Sequence, residues 1–322
     1  MTWQKILAQG FTSVNELLAF LSLPSSLGDP IAEKQFKTRV PRGFAARMQR
    51  GNPHDPLLLQ VLATVEELQP VTDFVTDPLA ETLVNPLPGL IHKYQGRVLL
   101  TFTGVCAVNC RYCFRRHFPY QVNNPGRKGW QTIVDYLAKD KSIKEVILSG
   151  GDPLLATDGV LRDFIHQLET IPHIQTLRFH TRIPIVLPER INESFLAILA
   201  TTRLQKVIVL HSNHAQELDH TVQQTCHALR HVGCHLLNQS VLLKSINDNA
   251  IILAALSERL FHCGVLPYYL HVLDKVAGAA HFDLPESSAL LIHRQLQSKL
   301  PGYLVPRLVR EEPMKPNKTI LA

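Results

Sequence analysis

From Arg97 onward, short apolar, β-branched runs alternate with amphipathic helical stretches, and no other feature of the chain constrains its fold as tightly. The runs are RVLLTFTG (97–104), EVILSG (145–150), TLRFHTR (176–182), KVIVLHS (206–212), HLLNQSVLL (235–243) and LPYYLHVLD (266–274). Between them lie WQTIVDYLAKD, VLRDFIHQLETI, ESFLAILATT, QELDHTVQQTCHALRHVG and NAIILAALSERLFHCG, whose apolar residues recur at helical spacing, as Leu161, Phe164, Ile165 and Leu168 do. Such alternation implies parallel strands with helices packed outside. Six units in sequence imply an α/β fold, a partial (β/α)6 TIM-like barrel over residues 96–322, with its chemistry at the C-terminal ends of the strands. Residues 1–95 read instead as a helical N-terminal extension. SVNELLAFLSLP and DPLLLQVLATVEELQP are its two clear amphipathic stretches, and Pro78, Pro86 and Pro88 break up the approach to the barrel.

Composition excludes several classes. The chain has 322 residues, 45% hydrophobic and 19% charged, an ordinary globular balance that can bury a large core. No run of 18 or more apolar residues suggests a membrane span, and the opening MTWQKILAQGFTSVNELLAFLSLP is not an apolar signal segment. The net charge of +6 is scattered rather than gathered in a stripe. It therefore fits anionic small ligands as well as nucleic acid, and no nucleic-acid partner is expected.

The segment GVCAVNCRYCFRRHF (104–118) holds three of the six cysteines, Cys106, Cys110 and Cys113, spaced C-x3-C-x2-C. A disulfide framework wants an even set in a small secreted chain. Structural zinc wants four ligands, usually as two pairs. His117 would make a fourth ligand, but it is one of 16 histidines and no second cysteine pair exists. Cys226, Cys234 and Cys263 stand apart in helix-like stretches and read as small buried hydrophobes. Three thiolates on a four-iron cluster would leave one iron open to bind and activate a ligand. With Tyr112 just before the last cysteine, the spacing resembles the signature of the radical S-adenosylmethionine (SAM) enzymes. In those enzymes the open iron of a 4Fe–4S cluster chelates the amino and carboxylate groups of SAM. Reduced thiols and a cluster imply the cytoplasm. The second strand ends in SGGDP, where Gly150 and Gly151 allow close backbone approach to a ligand. The resemblance makes Ser149, Gly150, Gly151 and Asp152 a SAM-binding turn, with Asp152 accepting hydrogen bonds from the SAM ammonium.

CAVNCRYCFRRHFPY, SGGDPL, IPIVLPERI, LLNQSVLLKSINDN, PYYLHVLDKV and GYLVP together resemble the lysine 2,3-aminomutase family, over residues 36–318. VPRGFAARM, GNPHDPLL and LHVLDKVAGAAHF resemble its short branch, which makes β-lysine for modifying elongation factor P. The resemblance implies a radical SAM barrel that moves the α-amino group of free L-lysine to carbon 3, giving (R)-β-lysine, with the nitrogen held on pyridoxal 5′-phosphate (PLP) during migration. It implies a flavodoxin or ferredoxin as electron donor, a pathway link to elongation factor P and its β-lysine ligase, and a homodimer as one assembly.

Residue by residue, Cys106, Cys110 and Cys113 would hold the cluster. Lys318 aligns with the family's PLP lysine, although Met314, Lys315, Pro316 and Asn317 replace the glycine-rich run of longer members and leave Lys315 as the alternative. Lys93 in HKYQGR matches a family arginine that takes the PLP phosphate, and Arg115 matches the arginine that pairs with the lysine carboxylate, a bidentate task suited to a planar guanidinium. Asp274 and Glu311 match the two acids that hold the ε-ammonium, with Glu311 departing from the usual Asp. Two acids there would repel a side-chain carboxylate, which disfavours a mutase acting on glutamate. The NQS of residues 238–240 and HSNHAQE match segments lining the SAM and substrate cavity. Longer members bind structural zinc through cysteines. Asn249 lies near the first such position and the chain stops before the others, so no zinc is expected. A tail lysine can serve only if the tail is anchored, for which Pro313, Pro316, Ile320 and Leu321 are candidates.

Overall fold

The computed structural model describes residues 1–322, apart from the Lys128 side chain. All six expected runs form parallel strands: β2 (Arg97–Thr103), β3 (Glu145–Gly150), β4 (Thr176–Thr181), β5 (Gln205–His211), β6 (Cys234–Val241) and β7 (Leu266–His271). Three further strands extend the sheet, β1 (Leu90–Tyr94), β8 (Arg307–Arg310) and β9 (Thr319–Ile320). The order is sequential from β1 to β9. Neighbours are parallel from β2 to β8, while β1 on β2 and β9 on β8 are antiparallel. The architecture is the expected partial barrel with a seventh parallel strand and antiparallel edges. Because β1 belongs to the sheet, the strand system begins within the segment read as an extension.

The connecting helices are Gly126–Lys139, Asp158–Glu169, Glu193–Thr201, His220–His231, Ala250–His262 and Glu286–Gln297. Short polar side chains start four of them, since Thr157, Asn192, Asp219 and Asn249 each accept a backbone N–H of the first turn. Asn249 is thus a helix cap. Strand periodicity then sorts side chains to two faces. On β4, Leu177 and Phe179 are buried under the helices, whereas Arg178 and His180 line a cavity inside the barrel. The same hydrophobic cluster contains Trp3, Phe11, Leu17, Phe44 and Leu58 of the N-terminal segment together with Leu100, Leu148, Phe164 and Phe179 of the barrel. Cys226, Cys234 and Cys263 are buried in it as expected. No helix among the described residues is long and apolar enough to cross a membrane.

Side chains bridge the two edges of the open sheet. Lys93, on β1, donates to Glu311 Oε1 at 2.5 Å and to the Glu312 carbonyl at 2.6 Å, and Tyr94 also donates to Glu311. An ion-paired seam thus joins β1 to the end of β8. The tail is held by β9 and by a backbone ladder, Leu321 N to Leu308 O and Leu308 N to Ala322 O, both at 2.9 Å. Leu321 also packs on the cluster around Leu304 and Leu308. Pro313, Pro316 and Ile320 are exposed, so of the expected anchors only Leu321 packs into the protein. Deleting Leu321 and Ala322 removes that ladder. Amide exchange at Val309, Arg310, Thr319 and Ile320 is expected to accelerate by about tenfold or more, measured by hydrogen–deuterium exchange, with the helices unaffected.

Candidate active site

A cavity of about 560 Å³ runs through the barrel and is lined by Cys106, Cys110, Cys113, Arg115, Asp274, Glu311 and Lys318 together. The cysteines occupy the irregular loop after β2. Polar groups of the N-terminal segment hold this loop. Arg39 donates to the Cys106 carbonyl at 2.9 Å, the Arg39 carbonyl accepts Asn109 N at 3.0 Å, and the Gln60 carbonyl accepts Arg111 N at 2.9 Å. Glu67, buried, takes Arg111 on both carboxylate oxygens and Arg116 on one, at 2.5–2.7 Å. Arg116 also donates to the carbonyls of Arg111 and Gly278. The second arginine of the pair therefore braces the loop, and only the first faces the cavity.

Burial pushes the Cys113 thiol up to about 11 and raises Cys106 well above the ordinary range, and neighbouring cysteines push each further. Arg182 donates to Cys110 Sγ at 2.7 Å and is itself held by Glu217 at 3.0 Å. No three His, Cys, Asp or Glu side chains among the described residues converge on a single metal ion. Three thiols that line one cavity and feel one another's charge fit the ligand set of a multi-iron cluster.

The Ser149–Asp152 turn differs in detail from the expectation. A Cβ on Gly151 would come within 2.2 Å of the Val105 carbonyl oxygen, and one on Gly150 within 2.4 Å of that of Thr103. The close approach that needs these glycines is that of the cysteine loop, pinned by Gly151 N to Thr103 O at 2.8 Å and Asp152 N to Val105 O at 2.7 Å. Asp152 is buried, and its carboxylate already accepts Leu154 N, Thr181 Oγ1, Arg182 N and Ile183 N. Burial lifts it to about 6 against the lowering pull of those bonds. A carboxylate offers about four acceptor sites, so Asp152 has none left for an ammonium. It joins the ends of β3 and β4.

Arg115 is 7% exposed and its fork holds Glu81, with Nε to Oε2 at 2.7 Å and Nη2 to Oε1 at 2.6 Å, while Nη1 donates to Ser149 Oγ at 3.0 Å. Glu81 has no sequence signal, since it lies in the Pro-punctuated approach to β1. The two acids differ sharply. The Asp274 carboxylate receives no hydrogen-bond donor among the described residues, and burial raises it to about 7, partly offset by Lys318. Burial also acts to raise Glu311, but Lys318, Lys93 and Tyr94 prevail and hold it at about 2. Lys93 is thereby committed to the seam and does not stand free for a phosphate, as expected of it. Arg97 and Arg307 line the same cavity without a carboxylate partner among the described residues. Lys318 lines the cavity, whereas Lys315 is exposed and outside it.

Strand alternation also revises the NQS reading. Asn238 and Ser240 are buried and bond Ser212, knitting β5 to β6, while Gln239 faces the cavity. His180, His211 and His271 line it too, each with an unpartnered Nε2, and burial lowers all three, His211 to about 3. They are neutral walls at the ends of β4, β5 and β7.

Residues 100–209, spanning β2 to most of β5 and the cysteine loop, match the Radical SAM superfamily. The L-lysine 2,3-aminomutases of Haemophilus influenzae and Escherichia coli are 49% and 51% identical over 99% of this chain, covering 95% and 94% of their own lengths. The chain belongs to the L-lysine 2,3-aminomutase family. The longer Clostridium subterminale L-lysine 2,3-aminomutase is 32% identical over 98% of this chain and 77% of its own length. A radical SAM methyltransferase from Sphaerobacter thermophilus superposes over 69% of this chain and 68% of its own at 17% identity and a TM-score of 0.46, too distant a likeness to bear on the fold. Family membership makes the chain an enzyme and implies a 4Fe–4S cluster and SAM.

Glu67→Ala leaves two buried guanidinium groups without their shared carboxylate. Losing one partner of a buried pair costs about 3–5 kcal/mol. Chemical denaturation is expected to register a loss of that order, and the reconstituted protein to hold less iron than the wild type by colorimetric assay.

Proposed function

We propose that this enzyme isomerises L-lysine to β-lysine in this cavity. The observation that carries the reading is that a single cavity brings together the three cysteines, Arg115, Asp274 and Lys318, residues drawn from the loop after β2, the end of β7 and the tail. When bound, the cluster with SAM supplies the radical that takes an unactivated hydrogen, and PLP supplies the π-system across which nitrogen migrates. Cys106, Cys110 and Cys113 would ligate the cluster, and the Ser149–Gly151 turn would flank SAM. Lys318 would carry PLP, with Arg97 and Arg307 as the unpaired cations available to its phosphate. Glu311 keeps the Lys318 ammonium aimed into the barrel by ion pairing. Arg115 would receive the substrate carboxylate and Asp274, with its vacant acceptors, the ε-ammonium. The Lys93–Glu311 seam closes the gap between the sheet edges and would help keep bulk water from the reacting carbons.

On the strength of the short-branch motifs, we assign the product to elongation factor P modification in the cytoplasm, with a flavodoxin or ferredoxin as electron source. The central test is anaerobic reconstitution with iron and sulfide, then incubation with SAM, PLP, reductant and lysine. β-Lysine is expected, and Cys113→Ala abolishes it. Borohydride reduction of the PLP-loaded wild type is expected to fix the cofactor on Lys318 in a mapped peptide. SAM cleavage without β-lysine would overturn the substrate assignment, and label on Lys315 would move the PLP role.

Asp274 also sets a pH dependence. Lys318, Glu311, Glu81 and Lys93 face it, and its folded value of about 7 lies above the ordinary carboxylate value. A raised carboxyl stabilises the fold below its unfolded value, and that contribution is lost as pH rises through about 7. Binding an ammonium requires the ionised form, so lysine affinity should improve as pH rises towards and through 7. In Asp274→Asn the lysine KM is expected to rise about a hundredfold or more and lose this pH dependence, with SAM cleavage retained. A normal KM would return Asp274 to a structural role.

A further inference from the structure

The geometry points to Glu81 as the positioning residue that aims Arg115 at the substrate carboxylate, an inference that rests on the lysine-binding role proposed for Arg115. A guanidinium has five N–H donors in a rigid plane. Glu81 occupies the Nε and Nη2 edge side-on at 2.7 and 2.6 Å, and Ser149 Oγ takes one Nη1 hydrogen at 3.0 Å. Two donors remain, one on each terminal nitrogen, on a side chain that lines the same cavity as Cys113 and Asp274. With one edge fixed by a protein carboxylate, the free donors have a set direction. An unrestrained arginine has rotamer freedom to lose on binding.

The chain is built to hold Glu81 there. Glu81 is 8% exposed, although it lies in a short 3-10 turn. Ala80, immediately before it, adopts φ 50° and ψ 40°, left-handed backbone that a non-glycine residue enters only at an energetic cost. Asp77 secures the turn by accepting Glu81 N at 3.2 Å and Thr82 Oγ1 at 3.0 Å. Strain retained beside a buried, cavity-facing carboxylate marks a position fixed by its surroundings.

The test compares lysine with 1,5-diaminopentane, which keeps both amines and lacks the carboxylate. In Glu81→Gln the lysine KM is expected to rise about tenfold, while the inhibition constant of 1,5-diaminopentane and the rate of lysine-independent SAM cleavage stay within about twofold. On an Arg115→Ala background, Glu81→Gln should add nothing, since a residue acting through another gives a non-additive cycle. Glu81→Asp keeps the charge but reaches only one edge nitrogen, and is expected to be intermediate. If Glu81→Gln lowers the melting temperature, the comparison is made on Glu81→Asp. Equal weakening of lysine and 1,5-diaminopentane, or an unchanged lysine KM, would overturn the proposal. An unchanged lysine KM in Arg115→Ala would instead overturn the role of Arg115 itself, and the two failures are distinguishable in one set of proteins.

Discussion

The carboxylate of Glu67, buried and bonded to two arginines, is what allows the cysteine loop to exist in one conformation. The loop has no helix or strand between β2 and Gly126, so its backbone groups must find partners elsewhere. Arg39 and Gln60 supply partners for the backbone of Cys106, Asn109 and Arg111, while Arg111 and Arg116 brace the loop by converging on Glu67 and donating to the carbonyls of Phe36, Ala32 and Gly278. Two cations against one anion leave a surplus positive charge in the interior, and the carbonyl oxygens offset it. The N-terminal segment contributes Phe36, Arg39, Gln60 and Glu67 to this arrangement. Its role is thereby defined: it is the mould in which the thiols are set.

The second constraint is electrostatic. Two acids expected to share one task are driven apart, one to about 7 and the other to about 2. Asp274 has burial without a bonded partner, so its proton is loosely poised near neutrality. Glu311 has three donors and stays ionised. Its longer arm, compared with an aspartate, reaches Lys93 across the gap between the sheet edges while also holding Lys318. The departure from the family pattern at Glu311 is the same feature that closes the barrel. Separating acids in this way assigns them different duties.

The barrel was legible because its strands and helices follow hydrophobic period, and each expected strand lies within three residues of its run. β8 and β9 escaped because RLVR and TI are too short to show a period, and β1 because prolines precede it. The cysteines were legible from spacing alone. Which polar neighbours are vacant was not, because vacancy depends on contacts distant in sequence. Asp152 is filled by donors from β4, Lys93 by a residue 218 positions away, and Arg115 by Glu81, 34 positions earlier. Resemblance carries a residue's identity across a family, but not the state of its hydrogen bonds.

A tail lysine four places from the chain end becomes a plausible cofactor site only through strand register. β9 has two residues, and its pairing of Val309 with Ile320 and Arg310 with Thr319 fixes which way Lys318 projects. A slip by one residue would exchange the faces of the strand and turn the ammonium away from the cavity. A two-residue ladder is too short to resist that slip by itself. Its register is reinforced at both ends, by Leu321 and Ala322 on Leu308 beyond the strand and by the Lys318–Glu311 pair before it. Glu311 is in turn fixed by Lys93 and Tyr94 on the opposite edge of the sheet. The seam that closes the barrel and the register that aims the lysine are therefore one structure. A change that opens the seam should also disorder the tail.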